Sequence, residues 1–204
     1  MNAYRTSPVV YLIGDSIAEG YAAQVQKELG GEAVVHLRPE NGRDSRNLLT
    51  RIPYWLEGRT YDVIHFNCGL HDIKRSHGDG QIAVPIDEYE HNLYQIVYLL
   101  RRYSQRLIWA RITPVVDGQP HPAKSFDRFN HDVDDYNRVA DRVMAACGVP
   151  VNDLHRIVMM AGVKNCLSED GVHMTSEGNR VLGQQVARAI RSALALPIKT
   201  TKRE

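Results

Sequence analysis

Val9-Val10-Tyr11-Leu12-Ile13-Gly14-Asp15-Ser16 is the stretch on which the fold turns. An apolar run that stops abruptly at Gly-Asp-Ser reads as a buried strand ending in a tight turn. After it, Ile17, Tyr21, Val25 and Leu29 recur at four-residue spacing, the period of a helix with one buried face. Ser16 is well suited to cap that helix, and Gly30-Gly31 to end it. A serine there sits at the carboxyl edge of a sheet, where open α/β sheets place their ligands.

Working outward, strand and helix patterns alternate. Strands are expected at 33–37, 61–67, 106–113 and 149–152. Helices are expected at 45–56, 87–103 and 128–147, for one to two turns from Asp153, and at 176–194. Short apolar strands separated by amphipathic helices are the pattern of a parallel sheet covered on both faces. The expected class is therefore α/β, a three-layer α/β/α sandwich on a five-stranded, flavodoxin-like parallel sheet. Residues 74–84 and 115–125 read as loops, the first mobile, hanging over the same sheet edge as Ser16. No internal repeat or linker divides the chain, so 1–204 reads as one domain with a basic tail, 197–204, expected to fray.

Bulk composition narrows the function. A net charge of +1 offers neither nucleic acid nor an anionic membrane a general attraction. Three widely spaced cysteines, Cys68, Cys147 and Cys166, make no disulfide framework, and no Cys/His cluster suggests a metal. No run reaches the length of a membrane span, and residues 1–8 lack the apolar core of a signal peptide. A cytoplasmic setting is the expectation, although a chain with its leader removed would read the same way. The oligomeric state is not legible.

Asp170-Gly171-Val172-His173 lies between the last strand and the last helix, on the same sheet edge. It offers a carboxylate and an imidazole three residues apart. With Ser16 these are the parts needed to activate a hydroxyl: nucleophile, base and orienting acid. Gly42 and His71 follow the second and third strands, so a Gly42 backbone N–H and a His71 ring N–H are candidate oxyanion donors beside the Ser16 N–H. His65 alternates with strand residues and reads as packed. Cys68 has no basic partner. Arg111 and Thr113 end the fourth strand within reach of the site. Asn67, just upstream of His71, is an outside candidate for an oxyanion donor that reads rather as part of the third strand. Arg43, Tyr54 and Trp55 read as packing or surface residues near Gly42.

Together these residues resemble the SGNH hydrolases, the GDSL-type lipases and esterases. Gly14-Asp15-Ser16 matches their first motif, Gly42 the glycine of the second, Gly69-Leu70-His71-Asp72 the third (usually Gly-x-Asn-Asp) and Asp170-Gly171-Val172-His173 the last. The resemblance covers nearly the whole chain. It implies a serine hydrolase of carboxylic esters that works through an acyl-enzyme without cofactor or metal. Its implied site is Ser16, Asp170 and His173 as triad, Ser16, Gly42 and His71 as oxyanion hole, and Asp15 and Asp72 in support. Implied substrates are small esters: acetylated sugars or short acyl esters first, then thioesters or lysolipids, with acyl transfer to an alcohol as a variant. The departure is His71 in place of the usual asparagine, as in some members with a Gly-Leu-His-Asp form. A histidine donates only from a protonated nitrogen, and Asp72 is a candidate for setting its tautomer or for simply bracing the loop. The non-enzymatic alternative is a flavodoxin-like binding module, but no GxGxxG or GxxxxGK[ST] sequence is present.

Overall fold

The structure is a computed structural model that describes residues 7–117 and 124–195. The expected strands and helices form, mostly trimmed at their ends. Val9–Ile13 (β1), Val34–Leu37 (β2), Val63–Phe66 (β3), Leu107–Ala110 (β5) and Val151–Asn152 (β7) make one sheet in the order β2-β1-β3-β5-β7. Every pairing in it is parallel. This is the doubly wound, flavodoxin-like order, with its switch point between β1 and β3. The three central strands are apolar because helices cover both faces. β3 and β5 are buried at every residue, and β1 at all but Val9.

Ser16–Leu29 (α1), Leu154–Ala161 (α5) and Ser176–Ala195 (α7) pack on one another in one layer. Ser45–Leu56 (α2), Ile86–Leu100 (α3) and Asn130–Cys147 (α4) form the other. α1 buries Ile17, Tyr21, Val25 and Leu29 as its spacing predicts, and ends at Gly30 in the left-handed conformation. The remaining helix, Val163–Cys166 (α6), is a single turn inside what reads from the sequence as loop.

Three local features differ from the sequence reading. The α1 cap is Asp15, whose carboxylate accepts the Ile17 N–H at 3.0 Å; Ser16 is the first helical residue. The shorter reach of a serine hydroxyl is thus not used at the cap, and the Ser16 side chain is released for other contacts. Residues 74–84 are a hydrogen-bonded unit and not an unstructured loop. Arg75–Ser76 (β4) pairs antiparallel with Phe126–Asp127 (β6), and Ala83 N–H donates to the Lys74 carbonyl at 2.8 Å. This ribbon borrows its partner from the far side of the 115–125 stretch, a pairing with no local signal. Arg128 lies ahead of α4, which begins only at Asn130. The predicted tail, 197–204, lies outside the described residues.

Candidate active site

Four segments converge at the carboxyl edge of the sheet: the β1–α1 turn, the loop after β2, the loop after β3 and the 167–174 turn. Ser16, at the start of α1, directs its hydroxyl to His173 Nε2 at 2.8 Å. His173 Nδ1 lies 2.5 Å from Asp170 Oδ2. Chain separation between Ser16 and His173 is 157 residues, so only the closed sheet brings them together.

The turn that carries Asp170 and His173 is tightly braced. Gly171 adopts φ 68°, a conformation that favours glycine. Ser168 N–H donates to the His173 carbonyl at 2.8 Å, and Val116 N–H donates to the Gly171 carbonyl at 2.9 Å. Asp170 Oδ1 accepts from the Ser168 hydroxyl, the Val172 N–H and the His173 N–H, leaving Oδ2 for the imidazole. Burial pushes the Asp170 carboxyl up, but these hydrogen bonds, led by the His173 ring, outweigh it and hold it well below the usual carboxylate range. An ionised Asp170 orients the ring and stabilises an imidazolium; a base oriented in this way can accept the serine proton.

The first helical turn leaves the Ser16 backbone N–H without an intrahelical partner, next to the positive end of the helix dipole. Arg38, buried, donates from Nε to the Gly14 carbonyl at 2.5 Å and from Nη2 to the Asp15 carbonyl at 2.8 Å. It thereby fixes the turn that presents Ser16, a role with no motif signal in the sequence. Asp15 is buried beneath, with Oδ2 unpaired among the described residues, and burial raises its carboxyl above the ordinary value.

Gly42 requires a correction. Its N–H donates to the Gly14 carbonyl at 2.9 Å and so does not point at the serine as a free donor. The cause is steric: a Cβ there would stand 2.5 Å from the Gly14 carbonyl oxygen and 2.7 Å from Leu48 Cδ1. Glycine lets the loop close on β1, and closure consumes the N–H. The next residue, Arg43, takes φ 53°, the sole positive φ outside glycine among the described residues.

His71 stands half-buried at the end of the β3 loop, with no hydrogen-bond partner among the described residues. Burial pushes its imidazole down to about 3, assisted by Lys74, Arg128, Arg43 and His173. It is neutral at ordinary pH and keeps one N–H to donate. Asp72 does not set its tautomer: the buried carboxylate accepts the Ser45 N–H at 3.0 Å and braces the loop against α2. Burial raises that carboxyl to about 7.

The remaining candidates lie away from this chain of contacts. His65 is fully buried between Tyr21 and Asn152, and burial lowers it to about 3. Burial raises the Cys68 thiol well above its ordinary value, which opposes nucleophilicity. Arg111 is held by Asp141 and Asp153. Asn67 donates to the Ala110 carbonyl, inside the sheet edge. Tyr54 is exposed and Trp55 packs against the core. Among the described residues no cluster of three or more His, Cys, Asp or Glu could hold a metal ion. None of the described helices is long and apolar enough to cross a membrane.

The profile of the GDSL-like lipase/acylhydrolase family matches residues 12–181, from the end of β1 into α7. The chain belongs to the GDSL-like lipase/acylhydrolase family. That membership makes it a carboxylic ester hydrolase by class. Solved structures share the fold of this acylhydrolase. A lipase/acylhydrolase from Enterococcus faecalis is 22% identical with a TM-score of 0.74, covering 95% of this chain and 100% of its own. The acetylxylan esterase Axe2 from Geobacillus stearothermophilus is 19% identical with a TM-score of 0.70, covering 97% and 98%. The acetyl xylan esterase AlAXEase is 18% identical with a TM-score of 0.70, covering 89% and 99%. No curated protein sequence matches the chain.

Proposed function

We propose that this acylhydrolase cleaves small carboxylic esters, acetyl or other short acyl esters first, through an acyl-enzyme on Ser16. The observation that carries the reading is the continuous chain Ser16 Oγ–His173 Nε2–Asp170, at 2.8 and 2.5 Å. His173 takes the Ser16 proton as the hydroxyl attacks the ester carbonyl. Asp170 holds the other ring nitrogen and stabilises the imidazolium. The oxyanion is met by the Ser16 N–H and by the N–H of neutral His71, while Gly42 anchors the loop. His173 then protonates the leaving alcohol. Water, deprotonated by His173, releases the acid and restores the serine.

One observation supports a small acyl group. The acetyl xylan esterases that share the fold act on acetyl esters by name. The test is hydrolysis of p-nitrophenyl acetate by the wild type and by Ser16→Ala, together with fluorophosphonate labelling. Turnover and labelling that both vanish in the variant uphold the reading; equal rates remove Ser16 from the mechanism.

A further inference from the structure

Several arginines of the described surface face a carboxylate: Arg46 with Glu88, Arg75 with Asp132, Arg111 with Asp141 and Asp153, Arg191 with Glu32. Three cations beside His71 do not. Lys74 Nζ lies 4.5 Å from the centroid of the Phe126 ring, and the Arg128 guanidinium lies 5.0 Å from the same centroid. The β4–β6 ribbon sets this ring over the β3 loop, and Arg128 Nε donates to the carbonyl of Leu70, the residue before His71. Arg43 projects from the loop that Gly42 ties to Gly14, two residues before Ser16. Its left-handed backbone costs an arginine free energy that a glycine would not lose.

None of the three forms an ion pair among the described residues. The neighbouring carboxylates attract these cations without touching them: Asp15 and Asp170 act on Arg128, and Asp44 and Asp15 on Lys74, while their hydrogen bonds go to the Ile17 N–H, His173 and the Asn47 N–H. Like charges pressed together raise one another's cost. Burial first, then Arg128 and Arg43 acting against Asp44 and Asp15, push the Lys74 ammonium below its ordinary value. An anion arriving between them would relieve that repulsion, and in a partly desolvated cleft its attraction is weakly screened.

We propose that Lys74, Arg128 and Arg43 form an anion subsite beside Ser16, and that the preferred substrate is an ester bearing a negatively charged group such as a carboxylate or phosphate. This rests on the esterase reading of Ser16. The charge belongs to the acyl part or to the alcohol part of the substrate, and the same chemistry recognises either.

Two matched pairs of esters test it. p-Nitrophenyl hydrogen succinate against p-nitrophenyl butyrate places the charge on the acyl side. m-Carboxyphenyl acetate against m-carbamoylphenyl acetate places it on the alcohol side. The expected result is a kcat/KM about tenfold or more higher for the anionic member of one pair, a preference that shrinks as salt is added. The double variant Arg43→Gly, Lys74→Gln should bring that ratio near one; glycine suits the backbone at position 43, so strain cannot explain the change. Equal turnover of both members in both pairs overturns the subsite and leaves the esterase standing. A preference that survives in the double variant overturns the assignment to these residues. Absence of turnover with all four esters and of fluorophosphonate labelling overturns the esterase reading, and the subsite falls with it.

Discussion

Gly42 N–H donates to the Gly14 carbonyl across 2.9 Å, so the loop after β2 is fastened to the residue two before Ser16. Gly42 is therefore a point of closest approach. A Gly42→Ala Cβ would meet the Gly14 oxygen and Leu48 at under 3 Å. Relieving that contact has to move the β1–α1 turn or the second loop. We expect a loss of about 1–3 kcal/mol in urea unfolding and a fall in esterase kcat larger than any change in KM, because the Ser16 turn shifts. An alanine variant with wild-type stability and kcat would refute this.

The triad geometry predicts unequal costs. Ser16→Ala removes the nucleophile and abolishes labelling. Asp170→Asn keeps a hydrogen-bonding group beside His173 Nδ1 but loses the charge, and is expected to lower kcat about 10⁴-fold with little change in Tm. Steady-state rates on p-nitrophenyl acetate measure both; an Asp170→Asn enzyme within tenfold of wild type would leave Asp170 a structural role only.

His71 is neutral at ordinary assay pH, since burial holds it down at about 3. The acid limb of kcat/KM is therefore not set by His71, and His71→Asn should leave it in place. Asparagine can donate from the same loop, so that variant should keep activity within about tenfold, whereas His71→Ala should lose about 10²–10³-fold. A shifted acid limb in His71→Asn would show that His71 titrates during turnover.

Arg38 satisfies the carbonyls of Gly14 and Asp15 from a buried position. Arg38→Ala leaves both without a charged donor and should cost about 2–4 kcal/mol. Lysine cannot reproduce two donors in a fixed fork, so Arg38→Lys should recover little of the loss. Chemical denaturation of both variants is the measurement; full recovery by lysine would point to charge alone.

Asp72 links stability to pH. Burial raises its folded pKa from 3.8 to about 7. Between those values the unfolded chain has released a proton that the folded chain retains, so stability is lost as pH rises through the window and levels off above about 7. Asp72→Asn removes that dependence. The stability difference between variant and wild type should move in favour of the variant by up to roughly 4 kcal/mol from pH 4 to pH 7. A difference that does not change with pH would place the titration elsewhere.

Most of the architecture could be read from local pattern. The apolar run Val9–Ile13, the four-residue spacing from Ile17 to Leu29 and the stop at Gly30 are all consequences of period and burial. The β4–β6 ribbon was not legible, because Arg75–Ser76 finds its partner at Phe126–Asp127 and neither dipeptide carries a strand pattern. For the same reason Arg128 reads as part of a helix, while the fold sets it against Leu70.

The Gly14-Asp15-Ser16 turn, the Asp170–His173 spacing and the parallel class follow from the sequence by itself, since they depend on residue type and short-range geometry. The tertiary structure decided the rest: that Asp15 and not Ser16 caps α1, that the Gly42 N–H is spent on Gly14, that Asp72 braces Ser45 instead of orienting His71, and that Lys74, Arg128 and Arg43 gather near His71 with no ion pair among the described residues. The physical reason is common to all four. Each depends on which hydrogen-bond or charge partner is nearest across segments far apart in the chain, and no local period encodes that distance.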